Sequence, residues 1–518
     1  MSTTSLPCVI GHRGCTIKKK KMSSEQIQWM TQQLTVSPVT FQPKGCKVPI
    51  PSFPVYMESS TKYFIPLEWL MQQTDDSMSP FYNVTLDMTW KPRAIESYDA
   101  SFAGSLRPLQ EEAIQAYMTK TNKKHRGGLI CIQCGGGKTV IGLNMIARMK
   151  MKTLIVVHKT FLLDQWKERI AQFLPDARVG TIMGPTFDVK DKDIVIGMLQ
   201  TLSMKEFPQN AFEGFGLSLY DEAHHLSAEV FSRALCKAFT PHRLGLTATP
   251  DRKDGLTKVF KMFLGPIVFI RERQNDSNVE VRMIHYCSDD RAYANVPTNY
   301  MGQTNTSAMI TQISGFFERN QMIGNYVDSM LQAEPERQIL LLSDRRQQLT
   351  WLHEHFTTYY PQYSVGYYLG GMKQEALATS ATKKLILATY AMSAEGMDIP
   401  TLDTLVMVSP KSDIEQSVGR ILRRKPEDRE RVPIVVDICD SLDPTKNQQT
   451  KRKRFYKKNK YIVADIDVEC KASTSSTITI SCNETCRVNY NDTSKAKKKQ
   501  SKGKKKTVKQ LDITQCFL

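Results

Sequence analysis

The sequence predicts an α/β protein built from two consecutive parallel-sheet units. Short apolar runs alternate with helical stretches from about residue 129 to about residue 436, a pattern that puts helices on both faces of a parallel sheet. One run, Leu129-Ile130-Cys131-Ile132, feeds the glycine loop Gln133-Cys134-Gly135-Gly136-Gly137-Lys138-Thr139, which opens into an apolar helix over 140–146. The alternation restarts near residue 339 without a second full glycine loop, so a second unit follows the first.

Length and composition set the bounds. The 518 residues allow two to four domains, and 41% hydrophobic with 24% charged residues suits a globular protein with a sizeable core. The net charge of +18 is concentrated: residues 442–518 hold 19 Lys/Arg against 7 Asp/Glu. Such an end attracts nucleic-acid phosphates, and equally suits a solvated tail or a nuclear-import signal. No apolar run reaches the ~18 residues of a membrane span. Lys18-Lys19-Lys20-Lys21 precedes polar sequence, not a signal-peptide core. The expectation is a soluble intracellular protein with no membrane partner. Twelve scattered cysteines do not form a secreted disulfide framework, and Cys131-x-x-Cys134 reads as strand end and loop rather than a redox pair.

In chain order, residues 1–35 are polar and aperiodic and are expected as a mobile arm. Residues 36–100 carry short apolar runs punctuated by Pro49, Pro51, Pro54 and Pro66, predicting a small β-rich module with a helix over 67–73. The first α/β unit occupies 101–270, with strands expected at 129–132, 154–157, 194–196, 217–219 and 244–246. The second occupies 271–460, with strands at 339–342, 385–387, 405–407 and 434–436 and a helix over 348–356. Residues 461–518, rich in Ser, Thr and Lys, are expected as a basic and disordered tail.

The glycine loop is a phosphate cradle. Gly135, Gly136 and Gly137 let backbone N–H groups face a polyphosphate, and the helix N-terminus adds its positive dipole. Lys138 can reach the β- and γ-phosphates, and the Thr139 hydroxyl can hold Mg²⁺. The strict G-x-x-x-x-G-K-[ST] pattern is not met, because Ile132 stands where its first glycine would be. Upstream, Ser105-Leu106-Arg107-Pro108-Leu109-Gln110 starts a helix, from which Arg107 and Gln110 can meet an adenine edge. Asp221-Glu222-Ala223-His224 follows a strand, so Asp221 can bind the same Mg²⁺ while Glu222 orients and deprotonates the attacking water. Thr247-Ala248-Thr249-Pro250 ends the next strand.

In the second unit, residues 412–423 are predicted as one helix with a Ser412/Glu415 capping box and an apolar stripe of Ile414, Val418, Ile421 and Leu422. Gln416, Arg420 and Arg423, at i, i+4 and i+7, share another face, from which the two guanidinium groups can reach a γ-phosphate. Glu395 and Asp398, on the loop after residue 388, are expected to contact nucleotide or steady those arginines.

Taken together, these blocks resemble the motif series of superfamily 2 helicases. Leu106–Gln110 resembles the adenine-reading motif, 135–139 motif I, Leu162-Leu163-Asp164-Gln165-Trp166 motif Ia, 221–224 a DEAH-type motif II, 247–249 motif III, 395–400 motif V and 416–423 motif VI. Arg243-Leu244-Gly245-Leu246-Thr247-Ala248-Thr249-Pro250-Asp251-Arg252-Lys253-Asp254-Gly255-Leu256 is similar to XPB-like DNA helicases, especially the poxvirus transcript-release helicase and its relatives. Ser417 and Leu422 depart from the common motif VI but leave both arginine positions intact. The resemblance implies two RecA-like domains, ATP and Mg²⁺ as cofactors, and ATP-driven movement on DNA, usually 3′ to 5′, in transcript release, repair or recombination. It also implies an RNA polymerase elongation complex as a partner and, for a viral protein, the host cytoplasm, with the virion and nucleus as further locations. Lys159-Thr160 and Gln200-Thr201 would hold nucleic-acid phosphates. A DEAH-type RNA helicase is the main rival. Within 510–517, Gln510, Ile513 and Phe517 resemble a sliding-clamp-binding peptide, with Cys516 replacing its first aromatic residue.

Overall fold

The computed structural model describes residues 5–38, 52–90, 94–121, 126–133, 135–208, 210–222, 229–248, 257–271, 278–395, 397–424, 426–471 and 479–489. The chain divides into two compact units, Met1–Arg273 and Gln274–Leu518.

The first unit begins with a correction. Residues 5–35, expected within a mobile arm, instead supply β1 (Ser5–Gly11), β2 (Gly14–Lys18) and the helix Ser24–Leu34. Leu6, Cys8, Ile10, Cys15 and Ile17 are all buried, a period-two alternation that the neighbouring lysines and polar residues obscure. Ser23 and Gln26 form a reciprocal capping box at the helix start. β3 (Thr35–Val36) pairs with β4 (Phe53–Pro54), while β5 (Met57–Glu58), β6 (Lys62–Ile65) and β7 (Thr85–Trp90) complete a sheet in the order β5-β6-β2-β1-β7. The helix Leu67–Gln73 forms where the sequence predicts it and buries Leu67 through Met71. From it, Glu68 pairs with Arg243 of the following sheet at 2.5 Å, with both side chains almost wholly buried.

That sheet contains β8 (Gly127–Ile132), β9 (Thr153–Val157), β10 (Val179–Met183), β11 (Thr186–Phe187), β12 (Ile194–Met198), β13 (Leu217–Asp221), β14 (His242–Thr247) and β15 (Ile267–Arg271). Its order is β11-β10-β12-β9-β13-β14-β8-β15, and every pairing except β10–β11 is parallel. Every residue of β8, β9 and β12 is buried, as strands covered by helices on both faces require. Ile132, Asp221 and Thr247 therefore end neighbouring parallel strands at one edge of the sheet, β14 lying between the other two.

The second unit contains β16 (Glu280–Ser288), β17 (Ile339–Ser343), β18 (Val365–Tyr368), β19 (Leu385–Thr389), β20 (Thr404–Met407), β21 (Ile434–Asp440), β22 (Ile462–Lys471) and β23 (Thr479–Asn489). They run β18-β19-β17-β20-β21-β16-β22-β23, with only β23 antiparallel to its neighbour. The four strands predicted here all form, and the predicted helix 348–356 extends over Arg346–Tyr359. The expected disordered tail is corrected in part. β22 pairs in parallel with β16 along nine residues and buries Val463, Ala464, Ile466, Val468 and Cys470, so this sheet extends well past residue 461. Acidic residues alternating with the apolar ones hide that strand in a composition-based reading. Among the described residues, no helix is long and apolar enough to cross a membrane.

Candidate active site

The loop after β8 takes the form a phosphate cradle needs. Gly135 and Gly137 adopt φ of +83° and +79°, left-handed values that favour glycine. Gly137 caps the helix Lys138–Met149, so its N-terminus opens directly onto the loop. Ile132, which stands where the pattern has its first glycine, packs against Gly136, where a Cβ would collide with it. Thr139 occupies the first turn of the helix.

Gln110 supports this loop from the side. It is buried, its Oε1 accepts from Arg107 N at 2.8 Å, and its amide nitrogen abuts Gly137, leaving no room for a Cβ there. Its amide oxygen is thus committed to the backbone of the helix start, while Arg107 is exposed.

At the end of β13, Asp221 accepts from Trp166 Nε1 at 2.9 Å through one oxygen and from the Glu222 backbone N–H at 3.0 Å through the other. Burial, and then the neighbouring Glu222 charge, push the Asp221 carboxyl up to about 6, with Lys138 and the two hydrogen bonds opposing. Glu222 has a left-handed φ of +50°, unusual for a side-chain-bearing residue, and turns the chain sharply at the strand end. Its Oε1 lies 3.1 Å from Lys138 Nζ, with both side chains only 10–12% exposed. This ion pair joins the glycine loop to the acidic turn. Ala223, His224 and Thr249 lie outside the described residues.

Motif resemblance points to Trp166, but its task is legible only in the structure. It sits 1% exposed on the helix Thr160–Phe173 and holds the carboxylate of Asp221 in one orientation. On the same sheet edge, Lys159 precedes that helix, and Gln200 Nε2 donates to His158 O at 2.7 Å, linking the loops after β9 and β12.

In the second unit the predicted single helix over 412–423 is corrected. Only Glu415–Val418 is α-helical, Gly419–Leu422 continues as a 3₁₀ turn, and Ile414 is the N-cap, so no Ser412 capping box forms. Gly419 at the junction weakens helix propagation, while Ile414, Val418, Ile421 and Leu422 still point inward. The tighter turn brings Arg420 and Arg423 onto one acceptor: Arg420 Nη1 and Arg423 Nη2 donate to Met397 O at 2.6 and 3.1 Å. Asp398 lies 3.7 Å from Arg423 Nε. Gln416 is half-buried on the preceding turn. The side chain of Glu395 and the whole of Gln510, Ile513 and Phe517 lie outside the described residues.

Comparisons with known proteins now bear on this arrangement. Residues 103–252 match the family described as type III restriction enzyme, res subunit, and residues 322–425 match the helicase conserved C-terminal domain. The mimivirus protein L396, named as an ATP-dependent RNA helicase, is 32% identical over 462 residues, covering 86% of this chain and 85% of that protein. The chain belongs to helicase superfamily 2. It is therefore an ATP-hydrolysing helicase, and its two parallel-sheet domains are RecA-like. African swine fever virus QP509L, also named as an ATP-dependent RNA helicase, is 28% identical over 403 residues, 74% of this chain and 77% of that protein. A shorter match, 37% identical over 164 residues, covers 32% of this chain and 35% of XPB2 from Sulfurisphaera tokodaii, named as a DNA 3′-5′ translocase.

Proposed function

We propose that this helicase is a DNA translocase moving 3′ to 5′, which unwinds duplexes or displaces transcripts in a viral transcription, repair or recombination pathway. The observation that carries the choice of DNA is the 37% identity over 164 residues to XPB2, a protein named as a DNA 3′-5′ translocase.

In this reading the N–H groups of Gly135, Gly136 and Gly137 and the Lys138 ammonium hold the ATP phosphates, with Arg107 and Gln110 on the adenine side. Thr139 and Asp221 suit Mg²⁺, because both are hard oxygen donors. Mg²⁺ there would neutralise charge on the phosphates. When Lys138 engages phosphate it gives up its 3.1 Å ion pair, and the released Glu222 can accept a proton from water. Arg420 and Arg423 supply the transition-state cations, steadied by Asp398 and accompanied by Gln416. Loss of the γ-phosphate frees these contacts and converts hydrolysis into domain movement. Further partners in this reading are an RNA polymerase elongation complex and, through residues 510–517, a sliding clamp.

A second reading, RNA as the track, is favoured by the names of the two viral relatives. ATP turnover measured alone and with single-stranded DNA, duplex DNA or RNA decides between them. Stimulation by DNA above RNA is expected. Stimulation only by RNA establishes the second reading, and no stimulation by any of them overturns both.

A further inference from the structure

A pocket of about 530 Å³ opens within the second unit, in the size range of small-ligand sites. Its walls come from the amino-terminal edge of the sheet: Lys383 and Lys384 precede β19, Leu402 and Asp403 precede β20, and Arg431 precedes β21. Pro400, Ile421 and Arg424 also line it, so one wall is continuous with the segments that carry Asp398, Arg420 and Arg423. None of the residues assigned above to the nucleotide lines the pocket itself.

Five cationic side chains line it, Lys383, Lys384, Arg424, Arg429 and Arg431, against three carboxylates, those of Glu336, Asp403 and Glu430. Glu430 serves both Arg424 and Arg431, at 3.3 and 3.5 Å. Asp403 is engaged by Thr404 and Arg337, and burial pushes its carboxyl up. Lys383 and Lys384, both half-buried, have no ion-pair partner among the described residues. The backbone under them is held in place: Gln338 Nε2 donates to Ala381 O and Lys383 O, both at 2.8 Å, and Lys384 N donates to Ser364 Oγ at 3.0 Å. Arg429 Nε likewise donates to Arg424 O at 3.0 Å, fixing the opposite wall.

We infer that this pocket is a binding site for a compact polyphosphate anion. A single carboxylate would duplicate what Glu430 already gives the arginines. An anion with several charges in a short chain engages both the arginine wall and the two lysines. No aromatic side chain lines the pocket among the described residues, so it offers no platform for a stacked base, and the phosphate chain is the part recognised.

The test is calorimetric titration of the full chain with sodium tripolyphosphate, carried out on the Lys138→Ala variant so that the glycine loop does not contribute. Binding is expected to persist there and to weaken at least tenfold when Lys383→Glu and Lys384→Glu are added. Arg431→Gln, a milder change, should weaken it severalfold with the urea-unfolding midpoint unchanged. Absence of binding to Lys138→Ala overturns the inference, as does binding that the added substitutions leave unchanged. A hexaglutamate peptide binding as tightly as tripolyphosphate overturns the phosphate assignment in favour of an acidic protein segment. None of these readouts depends on ATP turnover, so they stand apart from the translocase reading.

Discussion

Replacing Glu68 by Leu tests how the N-terminal module is bound to the first RecA-like domain. Arg243 Nη2 meets Glu68 Oε1 at 2.5 Å, with the two side chains 2% and 0% exposed. Its other guanidinium nitrogens donate to the carbonyls of Phe263, Thr240 and Pro241 at 2.9 to 3.1 Å, and the group also lies 4.8 Å from the Phe239 ring centre. Removing the carboxylate strands a positive charge among dipoles that cannot neutralise it. Breaking such a buried pair costs about 3–5 kcal/mol, and the three remaining carbonyl bonds place the expected loss near 3. For a unit of this size, that lowers the unfolding midpoint by roughly 6–12 °C. The double variant Glu68→Leu/Arg243→Met removes both charges and is expected to recover more than half of the loss, because an apolar replacement of a buried pair is close to neutral. Differential scanning calorimetry reads both. A single-variant shift below about 1 °C, or a double variant worse than the two single variants combined, refutes the claim that this pair welds module to domain.

Three further outcomes follow from the site and its surroundings. Gly137→Ala forces a side chain into a left-handed conformation and against Gln110, so nucleotide affinity measured by fluorescence titration should fall at least fivefold, from the ~1–2 kcal/mol backbone cost alone. Trp166→Phe keeps the packing but deletes the 2.9 Å bond to Asp221; turnover at limiting Mg²⁺ should drop about tenfold and recover as Mg²⁺ is raised. His242 is held neutral down to about pH 4, by burial first and then by Arg126 and Arg243. Its folded pKa lies below the ordinary value, so the stability tied to its neutral form is complete above pH 6.5 and is lost as pH falls toward 4, by roughly 3 kcal/mol. Urea midpoints at pH 7.5 and 4.5 should therefore fall less for His242→Gln than for the natural chain.

The sheets, and the placement of the glycine loop and the acidic turn at strand ends, were legible because both rest on local patterns. Buried parallel strands read as continuous apolar runs, and Gly135–Lys138 and Asp221-Glu222 sit at strand ends where chemistry collects. What escaped depends on pairing between distant residues. β1 and β2 are strands because β6 and β7 flank them, and no composition rule shows this through a run of four lysines. β22 alternates acidic and apolar residues, which resembles a solvated segment until β16 pairs along it. The arginine turn was misread as one regular helix because its apolar spacing fits 3.6 residues. The tighter turn at Gly419, which brings Arg420 and Arg423 to the Met397 carbonyl, leaves no mark in that spacing.

The central claim is that Glu222, released from Lys138, prepares the attacking water. Steady-state ATP turnover of Glu222→Gln, set beside its ATP affinity, tests this most directly. The amide keeps the size of the side chain and removes its basicity, so turnover should fall by at least ~100-fold while ATP still binds. Turnover within a factor of three of the natural chain would contradict the assignment.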